Sequence, residues 1–117
     1  MDEHDHDHNV EEMIFRQQVS ELENQLVALE NRRSELEIVK QSITDMKHQK
    51  DREIMIPVGA GVMILGKIVD EKNILVNIGA NVVVPRTSDE AKKLIEEQLD
   101  EINKLQDSLK KELERFM

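Results

Sequence analysis

A chain of 117 residues that is 35% charged, with two phenylalanines and no Trp, Tyr or Cys, cannot build an aromatic-rich globular core or use thiolate or disulfide chemistry. Its net charge is −9, with six acids and no Lys or Arg in residues 1–12 and nine acids against six bases in residues 88–117. Such a surface repels phosphate and anionic lipid, which argues against nucleic acid or membrane as a partner.

The first stretch, Met1 to Asn9, reads MDEHDHDHN. It is acidic and has no apolar pattern, so a disordered tail is expected. His4, His6 and His8 alternate with Asp5 and Asp7. The spacing matches no closed structural metal site, so the reading is a solvated tail and no metal. The tail lacks the basic and apolar regions of a leader peptide. No apolar run approaches the roughly 20 residues that span a bilayer. A soluble cytoplasmic protein is the expectation.

Residues 10–52 contain no Gly or Pro. Phe15, Val19, Leu22, Leu26 and Leu29 recur in alternating steps of four and three, continuing through Arg33 to Leu36 and through Lys40 to Ile43. This is a heptad seam on one long helix, roughly 63 Å at 1.5 Å per residue. A second seam, Leu36, Val39, Ile43 and Met46, overlaps it and suggests a register shift that would turn Arg33 and Lys40 outward.

All four glycines and both prolines fall in residues 53–86. Four short runs rich in β-branched residues, Ile54–Val58, Val62–Val69, Ile74–Ile78 and Val82–Val84, read as strands. Gly59-Ala60-Gly61, Asp70-Glu71-Lys72-Asn73 and Gly79-Ala80-Asn81 separate them, giving two tandem β-hairpins. The glycine segments lead into strands rather than helices, so they are not phosphate loops. The second run is apolar on both faces, Val62, Ile64 and Ile68 against Met63, Leu65 and Val69. Thirty-four residues cannot cover such a strand on both faces, so other chains must complete the sheet. The expected oligomerisation residues are Ile54, Ile56, Val58, Val62, Ile64, Ile68, Ile74, Val76, Ile78, Val82 and Val84.

A second helix is expected over residues 87–117. Thr87 with Glu90 forms a capping box. The seam is Ile95, Leu99, Ile102, Gln106, Leu109, Leu113 and Phe116, with Leu105 widening it. Two seamed helices flanking a β insert predict an α+β fold: a long antiparallel two-helix coiled coil with two β-hairpins at the turn end.

Helix, two hairpins, helix resembles the prefoldin family. Residues 56–61, Ile-Pro-Val-Gly-Ala-Gly, are similar to its first hairpin, and residues 74–84, Ile-Leu-Val-Asn-Ile-Gly-Ala-Asn-Val-Val-Val, to its second. The doubled insert resembles the alpha rather than the beta type of subunit. The resemblance implies an ATP-independent holdase subunit whose strands join a β-barrel platform. It further implies two alpha with four beta prefoldin subunits as partners, non-native proteins as clients, and transfer to a group II chaperonin.

The C-terminal helix is short for the family. Counting from the β end, it reaches opposite about Glu23, leaving roughly a dozen residues of the first helix unpaired. Val10, Met13, Ile14, Phe15, Val19, Leu113, Phe116 and Met117 gather at that end as a candidate client-binding tip, since adaptable apolar surface is what a holdase needs. Phe15 and Phe116 read equally well as seam residues closing the coil. No catalytic residues, cofactor or metal site are expected: His48 is the one histidine outside the tail, and the acids read as a solvated helix face. The competing function is a structural coiled-coil scaffold that oligomerises without holding clients.

Overall fold

The structure, a computed structural model, describes residues 3–70 and 72–116. The chain order is α1 (Glu3–Asp45), β1 (Glu53–Gly59), β2 (Val62–Lys67), β3 (Asn73–Asn77), β4 (Val83–Thr87) and α2 (Ser88–Glu114). It divides into two compact units, Met1–Glu35 with Gln98–Met117, and Leu36–Glu97.

Helix α1 starts earlier and ends earlier than the sequence suggests. Residues 3–9, expected as a disordered tail, are its first turns. The helix stops at Asp45 rather than Arg52. His48 and Asp51 take left-handed backbone angles, φ 63° and 67°. The Asp51 N–H donates to the Ile68 carbonyl at 2.9 Å, and Lys50 bridges to Ile68. Residues 46–52 are therefore spent on carrying the chain into the sheet.

In the first unit, Leu22 of α1 and Leu99, Ile102 and Gln106 of α2 are buried. Val19, Leu26, Leu29 and Arg33, with Leu109, Leu113 and Phe116, are half-buried around them. In the second unit, Leu36 and Ile43 of α1 are buried, as are Ala91 and Ile95 of α2. The first seam thus runs on in one phase. The expected second seam is absent, since Val39 and Met46 are exposed. Arg33 and Lys40 stay at inner positions instead of turning outward. Their methylene stems line the seam while their charged ends reach carboxylates, Glu30 for Arg33 and Glu96 for Lys40, the latter at 3.4 Å. Leu105 does not widen the seam; it is exposed.

Strands β1 and β2 pair antiparallel with Met55 opposite Leu65 and Pro57 opposite Met63. Strands β3 and β4 pair antiparallel with Leu75 opposite Pro85 and Val76 opposite Val84. The two hairpins turn by one device. Gly59, Ala60 and Gly61 have φ of 129°, 49° and 78°; Gly79, Ala80 and Asn81 have 119°, 49° and 61°. Two successive positive φ values are what a tight two-residue hairpin turn requires, and Gly and Asn bear them best. The hairpins are linked through Asp70, whose carboxylate accepts from the Lys72 and Asn73 N–H groups at 2.8 and 3.2 Å and from the Asn73 amide at 3.0 Å. The Asn73 side chain, then these two backbone donors, hold the Asp70 carboxyl below its ordinary value.

Strand β4 runs into α2 without a loop. The capping box forms as expected: the Glu90 N–H donates to Thr87 Oγ1 at 3.1 Å, and the Thr87 N–H donates to Glu90 Oε1 at 3.2 Å. The Thr87 N–H, then the Thr87 hydroxyl donating to the same Glu90 oxygen at 2.9 Å, favour the ionised carboxylate and lower the Glu90 pKa. Thr87→Ala is expected to lower the thermal midpoint by several degrees, and Thr87→Ser to restore most of it, read by circular dichroism.

Candidate interaction surfaces

Three groups of side chains carry the candidate function: the hairpin faces, the apolar residues where α1 starts and α2 stops, and a polar layer between the helices.

The hairpins expose most of their apolar surface. Among the expected oligomerisation residues, Ile54, Ile68, Ile74, Val76 and Val84 are half-buried, while Ile56, Val58, Val62, Ile64, Ile78 and Val82 are exposed. Ile56 is the least open of these, because its side chain folds over Gly66: a Cβ there would lie 2.6 Å from Ile56 Cδ1. The opposite faces, which that set omitted, are more open still. Met55 is 69% exposed and Leu65 71%; Leu75 is 72% exposed. The omission came from following one alternating face per strand. The signal was present in the second run, which is apolar on both faces.

Aligned on their turns, the hairpins match in exposure on the face that carries Met55 and Met63, whereas on the other face Ile56 and Ile64 are exposed and their counterparts Val76 and Val84 half-buried. Met55 (69%) corresponds to Leu75 (72%), and Met63 (55%) to Val83 (53%). One chain thus presents two nearly equivalent apolar surfaces, too large and too regular for ordinary solvated strands.

In the first unit the structure brings Phe15 and Phe116 together, ring centroids 5.4 Å apart at 69°, an edge-to-face contact. The chain just past the end of α2 therefore meets Phe15 rather than Glu23, and Phe15 is not left unpaired. Most of that error comes from the stretch 46–52, counted as helix but used as a connection. Leu113 is half-buried beside this contact. Val10, Met13 and Ile14 remain exposed, with no seam role. Met117 lies outside the described residues.

The polar layer sits inside the same unit. Gln106 is buried in the row between Ile102 and Leu109, and its Nε2 donates to Glu30 Oε2 at 3.2 Å. Arg33 donates to the same carboxylate through Nε at 3.0 Å and Nη2 at 2.6 Å. The Arg33 hydrogen bonds, then that of Gln106, lower the Glu30 pKa to about 2. Within the second unit Lys40 of α1 pairs with Glu96 of α2 at 3.4 Å, and Lys47, just past α1, pairs with Asp89 at 3.6 Å. Arg16–Glu12 and Arg32–Glu35 are exposed pairs along α1 that add little.

Among the described residues no group of three or more His, Cys, Asp or Glu side chains could hold a metal ion. Among the same residues no helix is long and apolar enough to cross a membrane.

Comparison with known proteins agrees with this arrangement. A family model described as prefoldin subunit matches residues 15–116. Prefoldin subunit alpha 1 of Thermococcus kodakarensis is 34% identical over 98 residues, covering 79% of this chain and 67% of that protein. Prefoldin subunit alpha of Pyrococcus horikoshii is 31% identical over 99 residues, with the same coverage of 79% and 67%. That of Methanopyrus kandleri is 36% identical over 77 residues, 65% of this chain and 49% of its own length. The chain thus spans about two thirds of the first two relatives and about half of the third. The cryo-EM structure of filamentous PFD from Methanocaldococcus jannaschii shares the fold at a TM-score of 0.84 and 17% identity, covering 92% of this chain and 90% of that one.

Proposed function

This chain belongs to the prefoldin family, and from that premise we propose that it is an alpha-type subunit of a hetero-oligomeric, ATP-independent holdase. Prefoldin family members are chaperones, not enzymes. The observation that carries the assembly half of the reading is the pair of apolar hairpins, each with one face open to solvent around Met55 and Leu65 or Leu75 in the single chain. Partner subunits of the beta type, two alpha with four beta, would cover them by joining strands into a β-barrel platform. The assembly acts in the cytoplasm and passes clients to a group II chaperonin.

The client-holding half rests on Val10, Met13 and Ile14. An exposed apolar cluster gains free energy by covering unfolded chain of any sequence, because apolar burial is non-directional. Methionine adapts to varied partners through its flexible, polarizable side chain. Phe15 and Phe116 close the coil beneath the cluster and hold the two helix segments together at that end.

The test uses the chain co-expressed with a prefoldin beta subunit. Mass in solution reads assembly, and light scattering of a denatured client, without ATP, reads holding. Met13→Asp with Ile14→Asp is expected to leave the complex mass unchanged and to weaken aggregation suppression severalfold. Full suppression by that double variant would remove these residues from client binding. A complex that assembles but suppresses nothing even as wild type would favour the scaffold reading.

A further inference from the structure

Six methionines and no cysteine make thioethers the sole sulfur chemistry of this chain. Two of them, Met55 and Met63, lie on adjacent strands of the first hairpin. Met55 pairs with Leu65 and Met63 with Pro57, so the two thioethers are diagonal neighbours on one face. Both are well exposed in the single chain. The second hairpin, with the same turn geometry and matching exposure, has Leu75 and Val83 at the equivalent positions. The molecule therefore carries its own control: one assembly surface contains oxidisable sulfur where its counterpart contains hydrocarbon.

We propose that Met55 and Met63 form a peroxide-sensitive modification site that disables the first hairpin as an assembly surface and spares the second. The inference rests on the assembly reading above. Each thioether sulfur attacks one oxygen of a peroxide. The O–O bond breaks, the oxygen is transferred to sulfur, and the departing hydroxide takes up a proton to leave as water. Sulfur is oxidised by two electrons and the peroxide is reduced by two. The resulting sulfoxide is polar and must be desolvated when a partner covers the face. In the assembled complex the same face is covered, so the free subunit is the form that reacts. A subunit oxidised before assembly keeps one competent hairpin and lacks the other.

The experiment mixes the purified chain with a prefoldin beta subunit before and after treatment of the chain alone with hydrogen peroxide. Peptide mass spectrometry locates sulfoxides, and native mass spectrometry reads the complex. Untreated chain assembles; its failure to do so would sink the assembly reading itself, before any oxidant is used. Treated wild type is expected to carry sulfoxide at Met55 and Met63 and to lose full-size complex by about tenfold or more. Met55→Leu with Met63→Leu, which copies the apolar chemistry of the second hairpin, is expected to assemble equally well with and without peroxide. Met13→Leu with Met46→Leu is expected to remain as sensitive as wild type. Treatment of the oxidised chain with methionine sulfoxide reductases restores assembly. The proposal is overturned if oxidised wild type assembles like untreated chain, if the two sulfurs escape oxidation, or if the Met55/Met63 double variant is inactivated to the same extent.

Discussion

A chain carrying Leu65→Asp and Leu75→Asp together is expected to keep its helical circular dichroism and lose association with partner subunits by roughly hundredfold or more. Both leucines point away from the half-buried side of their hairpins and stand open to solvent in the single chain. Leu65 sits opposite Met55, and Leu75 opposite Pro85, in strands whose ladder bonds do not involve either side chain. An aspartate at these positions is well hydrated in the free subunit, so the hairpins keep their register. In a complex that covers these faces, each carboxylate loses its water without gaining a partner, which is among the largest penalties a single substitution can impose. The single variants separate the two surfaces. Because Leu65 and Leu75 are equally open, Leu65→Asp and Leu75→Asp alone are each expected to give a smaller, incomplete assembly rather than none. Size-exclusion chromatography with in-line mass measurement distinguishes the three species. A full-size complex from the double variant would move the interface to the opposite faces, around Ile54 and Ile56 on one hairpin and Val76 and Val84 on the other.

That interface was legible in the sequence as a requirement and less so as a location. The second apolar run had no polar face, and this alone demanded external cover. Which side is more open depends on how each hairpin packs, information that alternation along one strand does not contain. The helix seams were readable at Leu22, Leu36, Ile43, Ile95, Leu99 and Ile102, all buried, because a heptad repeat is set by helix geometry itself. The expected register shift rested on a second seam through Val39 and Met46, which are exposed, while Arg33 and Lys40 stay at inner positions. Both span an apolar stem and a charged end, and the seam accepts the stem. Ala91, the most buried residue described, was missed: its small side chain gives little periodic signal, yet it sits one turn before Ile95 on the same face. The end of α1 was misjudged because nothing local ends it. The chain leaves the helix to reach Ile68, a contact across eighteen residues of sequence that no local pattern reports. The overestimated overhang at the other end of α1 followed mostly from that one error, and Phe15 meeting Phe116 corrected both.

The polar layer yields the second large effect, and its sign differs between partners. Gln106 is buried among apolar neighbours, and its Nε2 donates to Glu30. Glu30→Leu removes that acceptor and leaves the part-buried amide without its partner, which is expected to lower the thermal midpoint. Gln106→Leu instead replaces the amide by hydrocarbon in an apolar row, while the more exposed Glu30 keeps its paired hydrogen bonds from Arg33. That variant is expected to be neutral or more stable, as polar seam residues commonly lower stability while narrowing the choice of pairing. The double variant Glu30→Leu with Gln106→Leu should recover most of what Glu30→Leu loses, so thermal midpoints across the four proteins will be non-additive. Additive shifts would mean that the two side chains do not act together. Acid separates the carboxylate's own part. Because its folded pKa is depressed to about 2 from 4.5, its contribution is complete above the ordinary carboxylate range and declines as pH falls through about 2. Glu90 and Asp70 also have lowered pKa values, but they titrate alike in wild type and in Glu30→Leu, so they cancel in the difference. The gap in midpoint between wild type and Glu30→Leu should therefore narrow steadily from pH 5 to pH 2; a gap that stays constant over that interval would show that ionised Glu30 does not hold this layer together.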